Sequence, residues 1–137
     1  MKGNLASLLR LARSPWPLPF GSLRSRRSLL ARQNLIAAIH FALTTPTTVG
    51  ETYLVADPAP LTLAELVGAI RSGLGRKAGV VPFPPSLIAM ALQTARREEI
   101  WQRIGGGLVA DPGKLLRAGW KPPVETRAAL AAMAQRA

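Results

Sequence analysis

A chain of 137 residues, 48% of them hydrophobic, carries enough apolar material for one domain, and its composition excludes a disordered chain. It has no cysteine, which excludes disulfides and cysteine-ligated zinc and is compatible with a reducing, cytoplasmic setting. The formal charge is +11 and 14 of the 18 basic residues are arginine, whose planar fork suits phosphate, so anionic partners come into view.

The charge is uneven. Met1–Arg32 holds seven basic residues and no acid, Gln33–Met90 three against three, and the remainder eight against four. An Arg-, Ala- and Leu-rich composition is also what a GC-rich genome produces. Arg10 and Arg13 break the first apolar run, which argues against a secretory signal, although the acid-free start superficially resembles an organelle presequence. Ala78–Ala95 is uncharged, but Pro82, Pro84 and Pro85 interrupt it, and a membrane span needs about 20 apolar residues in one helix.

In chain order, Leu5, Leu8, Leu9 and Ala12 recur at helical spacing and predict a short amphipathic helix that Pro15 and Pro17 end. Leu18-Pro19-Phe20-Gly21 reads as an extended piece closing in a turn, Gly21–Arg27 as a basic loop, and Ser28-Leu29-Leu30 as a short extended segment. A helix follows over Asn34–Leu43, with Leu35, Ile36, Ile39 and Leu43 as its expected buried stripe. Thr52-Tyr53-Leu54-Val55 has strand composition. Thr62 and Glu65 stand at capping-box spacing, Leu63, Leu66, Val67, Ile70 and Leu74 form the apolar face of the helix they open, and Gly73 and Gly75 mark its end. Ala78–Val81 reads as a strand, and Ser86–Ala95 and Glu98–Ile104 as helices. Asp111-Pro112 supplies an N-cap carboxylate and a proline at the first helical position. Gly119 ends that helix, Trp120 folds back on the core, and Glu125–Gln135 forms a final Ala-rich helix. Strands alternating with helices favour an α/β layout with parallel pairing, in a single domain over residues 1–137 whose sheet is too small to be complete.

Much chemistry is absent. No G-x-G-x-x-G stands between a strand and a helix. Gly105-Gly106-Gly107 reads as a hinge or turn. The lone Tyr53 is followed at the fourth position by Asp57, not lysine. His40 has no candidate metal partners near it, and Glu51, Asp57, Glu65 and Asp111 are explained by turns and caps. No catalytic residue is assigned.

Four stretches taken together carry a resemblance. They are Met1-Lys2-Gly3-Asn4-Leu5; Leu18-Pro19-Phe20-Gly21 continuing to Arg26-Arg27-Ser28-Leu29 and Asn34-Leu35; Gly50-Glu51-Thr52-Tyr53-Leu54-Val55; and Asp111-Pro112-Gly113-Lys114-Leu115 with Gly119-Trp120-Lys121-Pro122-Pro123. In order and spacing they resemble the C-terminal part of the NAD-dependent epimerase/dehydratase family of extended short-chain dehydrogenases, and its UDP-glucose 4-epimerase-like branch in particular. The resemblance implies the C-terminal portion of an extended Rossmann-type fold, a few short strands with several helices, without the N-terminal half that binds the dinucleotide. It implies NAD in the complete enzyme, none bound by this chain alone, and a UDP-sugar or similar nucleotide-sugar as ligand. A separately encoded N-terminal half becomes a possible partner.

The family's binding residues transfer by position. Asn4 matches the asparagine at a helix start near the substrate diphosphate, a place where free amides meet an anion. Leu18, Pro19 and Phe20 match the extended segment along the nucleotide base. Arg27 matches the arginine that grips the diphosphate, and Arg103 falls near a second phosphate-binding arginine. Gln33 departs from the pattern, since the family has Asp just before the Asn-Leu pair, and the capping of the following helix is then in question. Two alternatives stand beside this reading: a basic nucleic-acid-binding protein, against which Trp16, Phe20 and Trp120 are not interleaved with basic residues, and a non-functional truncated fragment that is poorly soluble alone.

Overall fold

A computed structural model describes residues 4–94 and 106–137, and of Asn4 the backbone only. The chain runs α1 (Asn4–Arg13), β1 (Arg26–Arg27), α2 (Arg32–Thr44), a 3-10 turn (Pro46–Thr48), β2 (Leu61–Thr62), α3 (Leu63–Gly73), α4 (Pro85–Thr94), α5 (Gly113–Arg117) and α6 (Thr126–Arg136). It is a small mixed domain, helices around one two-stranded ladder. The helix expected over Glu98–Ile104, and Arg103 with it, lies outside the described residues.

The parallel pairing expected of the sheet is corrected for that ladder. β1 and β2 run antiparallel, Arg26 against Thr62 and Arg27 against Leu61. Parallel contact survives as single bridges, Leu18 with Val80 and Arg27 with Leu108. The strand expected at Thr52–Val55 forms no ladder among the described residues. The segment keeps the alternation of a strand, Tyr53 and Val55 packing on a core cluster while Leu54 stays 65% exposed, but among the described residues no strand pairs with it.

α3 is built as its sequence dictates. The Thr62 hydroxyl accepts from the Glu65 amide (3.2 Å) and the Glu65 carboxylate accepts from the Thr62 amide (2.8 Å), completing the capping box. Leu63, Leu66, Val67 and Ile70 are buried and join Leu9, Ala12, Leu18, Phe20, Leu23, Leu130 and Ala134 in the main core. Gly73 does more than end the helix. A β-carbon there would stand 2.2 Å from the Ala131 carbonyl oxygen, so glycine lets α3 and α6 touch backbone to backbone.

α2 overturns its expected face. Leu35, Ile36, Ile39 and Leu43 are 39%, 59%, 52% and 81% exposed, while Asn34 and Ala38 are buried. The cause is polar. Asn34 donates to the Asp57 carboxylate (2.8 Å) and to the Val124 carbonyl (2.8 Å) and accepts from the Val124 amide (3.0 Å). These bonds fix the roll of the helix, carry Ala38 inward one turn later, and turn the leucine-isoleucine stripe outward.

A second correction concerns Asp111. α5 starts at Gly113, with Pro112 at the cap position, one residue later than the sequence suggests. The Asp111 carboxylate still serves the helix start, accepting from the Gly113 amide at 2.8 Å. Gly119 takes φ +110° and Trp120 returns to the second core cluster, with Ala38 and Leu115.

Two stability predictions follow from these contacts. Asp57→Ala strips the acceptor from the Ala31 amide, the Asn34 amide and the Thr126 hydroxyl; at about 1–3 kcal/mol for each buried donor left unpaired, urea unfolding should register a loss of at least about 3 kcal/mol. A loss under about 1 kcal/mol, the size of a surface change, would contradict this. The Thr62 amide holds the Glu65 carboxyl below its ordinary value of 4.5, with the nearby Arg127 and Arg26 adding to the effect. A carboxyl depressed by folding stabilises above its unfolded value and loses that contribution as pH falls through its folded one. Glu65→Gln should therefore flatten the acid limb of stability below about pH 5 while keeping α3 capped. Unchanged acid unfolding in this variant would show that Glu65 contributes nothing to it.

Candidate functional site

α1 is amphipathic, so its apolar side enters the core and its arginines stay outside, with Asn4 at its first turn. The segment beyond it is pinned. The Leu18 amide donates to the Gly79 carbonyl (2.9 Å), the Val81 amide to Leu18 (2.9 Å), the Phe20 amide to Leu18 (2.9 Å) and the Gly21 amide to Val81 (3.0 Å). Leu18 and Phe20 are buried in the main core, and Pro19 is half-buried between them. Every amide of this segment is thus used within the protein, and proline has none. What Leu18–Phe20 can offer a ligand is carbonyl oxygen and the Pro19 surface.

Arg27 lies on β1, half-buried, and its Nε donates to the Gly106 carbonyl at 3.0 Å. Beside it the Ser28 amide donates to Leu108 (2.9 Å), and the Ser28 hydroxyl accepts from the Ala110 amide (2.9 Å). The 106–110 segment is therefore fastened to the strand that carries Arg27.

Two residues organise these parts: Arg71, which the sequence reading passed over, and Asp57, which it assigned to a turn or cap. Arg71 is 4% exposed and spends all five guanidinium N–H groups on carbonyls: Nε on Ala12 (3.1 Å), Nη1 on Ala78 (2.9 Å) and Gly79 (3.1 Å), Nη2 on Ser14 (3.1 Å) and Trp16 (2.8 Å). It joins the end of α1, the connector behind it and the strand partner of Leu18. Its signal was legible: Arg71 stands four residues after Val67, on the apolar face of α3.

Asp57 is 1% exposed. Its carboxylate accepts from the Ala31 amide (3.1 Å), Asn34 Nδ2 (2.8 Å) and the Thr126 hydroxyl (2.9 Å), and its own amide donates to Leu29 (2.8 Å). The starts of α2 and α6 both point at it. At the start of α2, where Gln33 replaces the family's acid, this carboxylate reaches from across the fold to the amide of Ala31, the residue before the helix.

Above this hub opens a cleft of about 940 Å³ between α1, the 29–33 segment and α6. Leu5, Leu9, Leu29 and Met133 make its apolar walls, and Arg10, Arg13, Arg32 and Arg136 stand around it. Of the residues matched to the family's binding set, Leu18, Pro19, Phe20 and Arg27 do not line it. Leu5 and Ala6, which follow Asn4 in the first turn of α1, do. Arg103 lies outside the described residues. No group of three or more potential metal ligands gathers among the described residues, and no helix among them is long and apolar enough to cross a membrane.

Compared with known proteins, the chain is 31% identical over 125 residues to a UDP-glucose 4-epimerase of Vibrio cholerae. The match covers 90% of this chain and 38% of that protein, so the chain spans well under half the length of this relative. No family model matches the sequence, and no solved structure matches the fold. The resemblance to the epimerase family drawn from the four motif stretches is shown by this similarity.

Proposed function

We propose that this chain is the nucleotide-sugar-binding portion of an NAD-dependent nucleoside-diphosphate-sugar epimerase, similar to UDP-glucose 4-epimerase, and catalytically incomplete by itself. The observation that carries the reading is the 31% identity spread over 90% of the chain. Similarity of that extent runs through most of the chain rather than one local signature.

The residues present do not fit a dinucleotide. Gly73 and Gly75 end a helix rather than open one, and a β-carbon at Gly107 would stand 2.8 Å from the Arg26 carbonyl oxygen, so that glycine serves chain packing. Tyr53 has Asp57 four residues on, and Asp57 is buried in the hub of the fold. NAD and the hydride chemistry at the sugar would therefore come with the rest of an enzyme, joined to this chain or supplied by a separate cytoplasmic polypeptide.

The chain's own part is binding. Arg27 would hold the diphosphate, with orientation set by β1 and by its bond to Gly106. The first turn of α1, beginning at Asn4, would add the partial positive charge of a helix start. The Pro19 surface would lie along the base.

Isothermal titration with UDP and with a UDP-sugar tests the proposal. Saturable binding is expected, and Arg27→Gln should weaken it about tenfold or more, since hydrogen bonds to charged groups contribute about 1.5–3 kcal/mol. A thermal melt of the variant within a few degrees of the parent would separate this from unfolding. Absence of UDP binding by the parent chain, alone and with the remaining part of an epimerase supplied, would refute the reading.

A further inference from the structure

Of the described residues that the nucleotide reading uses, the cleft between α1, the 29–33 segment and α6 takes in only the first turn of α1, at Leu5 and Ala6, and the rest of its chemistry is its own. Arg10 and Arg13 reach it from the last turns of α1, Arg32 from the first turn of α2 and Arg136 from the last turn of α6. All four are exposed. The ion pairs among the described residues join Arg26 and Arg127 to Glu65 and Lys114 to Glu51, so none involves these four. Their guanidinium groups also make no hydrogen bond among the described residues. The one acidic side chain in the lining, Asp57, has its carboxylate taken up by Ala31, Asn34 and Thr126.

Four like charges around one cavity repel one another, and an anion with several oxygens relieves that repulsion while meeting the donors. Arginine presents a planar pair of N–H groups that matches phosphoryl oxygens two at a time, which a flexible lysine does not. The walls are not polar: Leu5, Leu9, Leu29 and Met133 face the same space. A cleft of about 940 Å³ is at the upper end of the range for small-molecule sites, about 300–1,000 Å³. We propose that this cleft binds a small molecule bearing a phosphoryl group on an apolar or aromatic carrier, the phosphoryl held by the arginines and the carrier laid against the leucine and methionine walls. The site is separate from Arg27.

Titration calorimetry of the full chain with phenyl phosphate and with inorganic phosphate tests it. Phenyl phosphate should bind several-fold more tightly than inorganic phosphate, because only its ring can use the apolar walls. The double variant Arg13→Gln/Arg32→Gln should lose about tenfold or more in affinity for phenyl phosphate. Arg24→Gln/Arg117→Gln removes the same charge at exposed positions outside the cleft and should stay within about twofold. All the replaced side chains are exposed, and matching melting curves would exclude unfolding as the cause. Arg27→Gln should leave phenyl phosphate binding intact, so the nucleotide reading and this one fail separately. Equal weakening in the two double variants would reduce the site to the diffuse attraction of a +11 chain and overturn the proposal. So would equal affinity for the two phosphates, or capture of poly-glutamate with no phosphate bound, which would make the cleft a docking surface for an acidic polypeptide.

Discussion

A carboxylate taken out of water must be met by donors on its open sides, and Asp57 draws them from three parts of the chain. The Ala31 amide before α2, Asn34 inside α2 and the Thr126 hydroxyl at the start of α6 all close on it, while its own amide holds Leu29. Two helix starts therefore converge on one negative charge, one through the Ala31 backbone amide and the Asn34 side chain, the other through the Thr126 hydroxyl. The roll of α2 follows from this, because Asn34 has to face inward. So does the floor of the cleft, because the 29–33 segment and the beginning of α6 are set side by side by the same bonds.

Arg71 performs the matching task on the other side of the core. Its positive charge is buried among carbonyls rather than against an acid, and one of those carbonyls, Gly79, also receives the Leu18 amide. The end of α1, the connector through Ser14 and Trp16, and the Leu18–Phe20 segment are thereby tied to α3. α3 in turn meets α6 without intervening side chains at Gly73. Each wall of the cleft is thus attached to a satisfied buried charge or to backbone packing, and the arginines around its rim remain available to a ligand.

The sequence made the regular parts legible where local chemistry decides the outcome. The helix from Leu63 is marked by its capping box and by apolar residues at helical spacing, and the return of Trp120 by Gly119. It misled where a single polar residue outweighs a pattern. Leu35, Ile36, Ile39 and Leu43 look like a buried stripe, yet one asparagine bonded to a buried aspartate turns them outward. Thr52–Val55 has strand composition but pairs with no strand among the described residues, and pairing is not encoded in the segment itself. Of the candidate site, the family motifs named Asn4, Leu18–Phe20 and Arg27, whereas the arginine cleft was invisible, because Arg10, Arg13, Arg32 and Arg136 are brought together only by the packing of α1 and α6 on α3 and the anchoring of the 29–33 segment at Asp57. The uneven charge of the first third of the chain was the one trace of it.

The central claim is that a body organised by Asp57 and Arg71 presents a defined nucleotide site on this chain rather than a basic surface. Amide chemical-shift mapping during a titration with UDP tests that most directly. The account predicts saturable shifts concentrated in the first turn of α1, around Pro19 and along Arg27 and the 106–110 segment, with the Asp57 hub unmoved. Shifts that never saturate, or that scatter across the arginines of the whole surface, would contradict it.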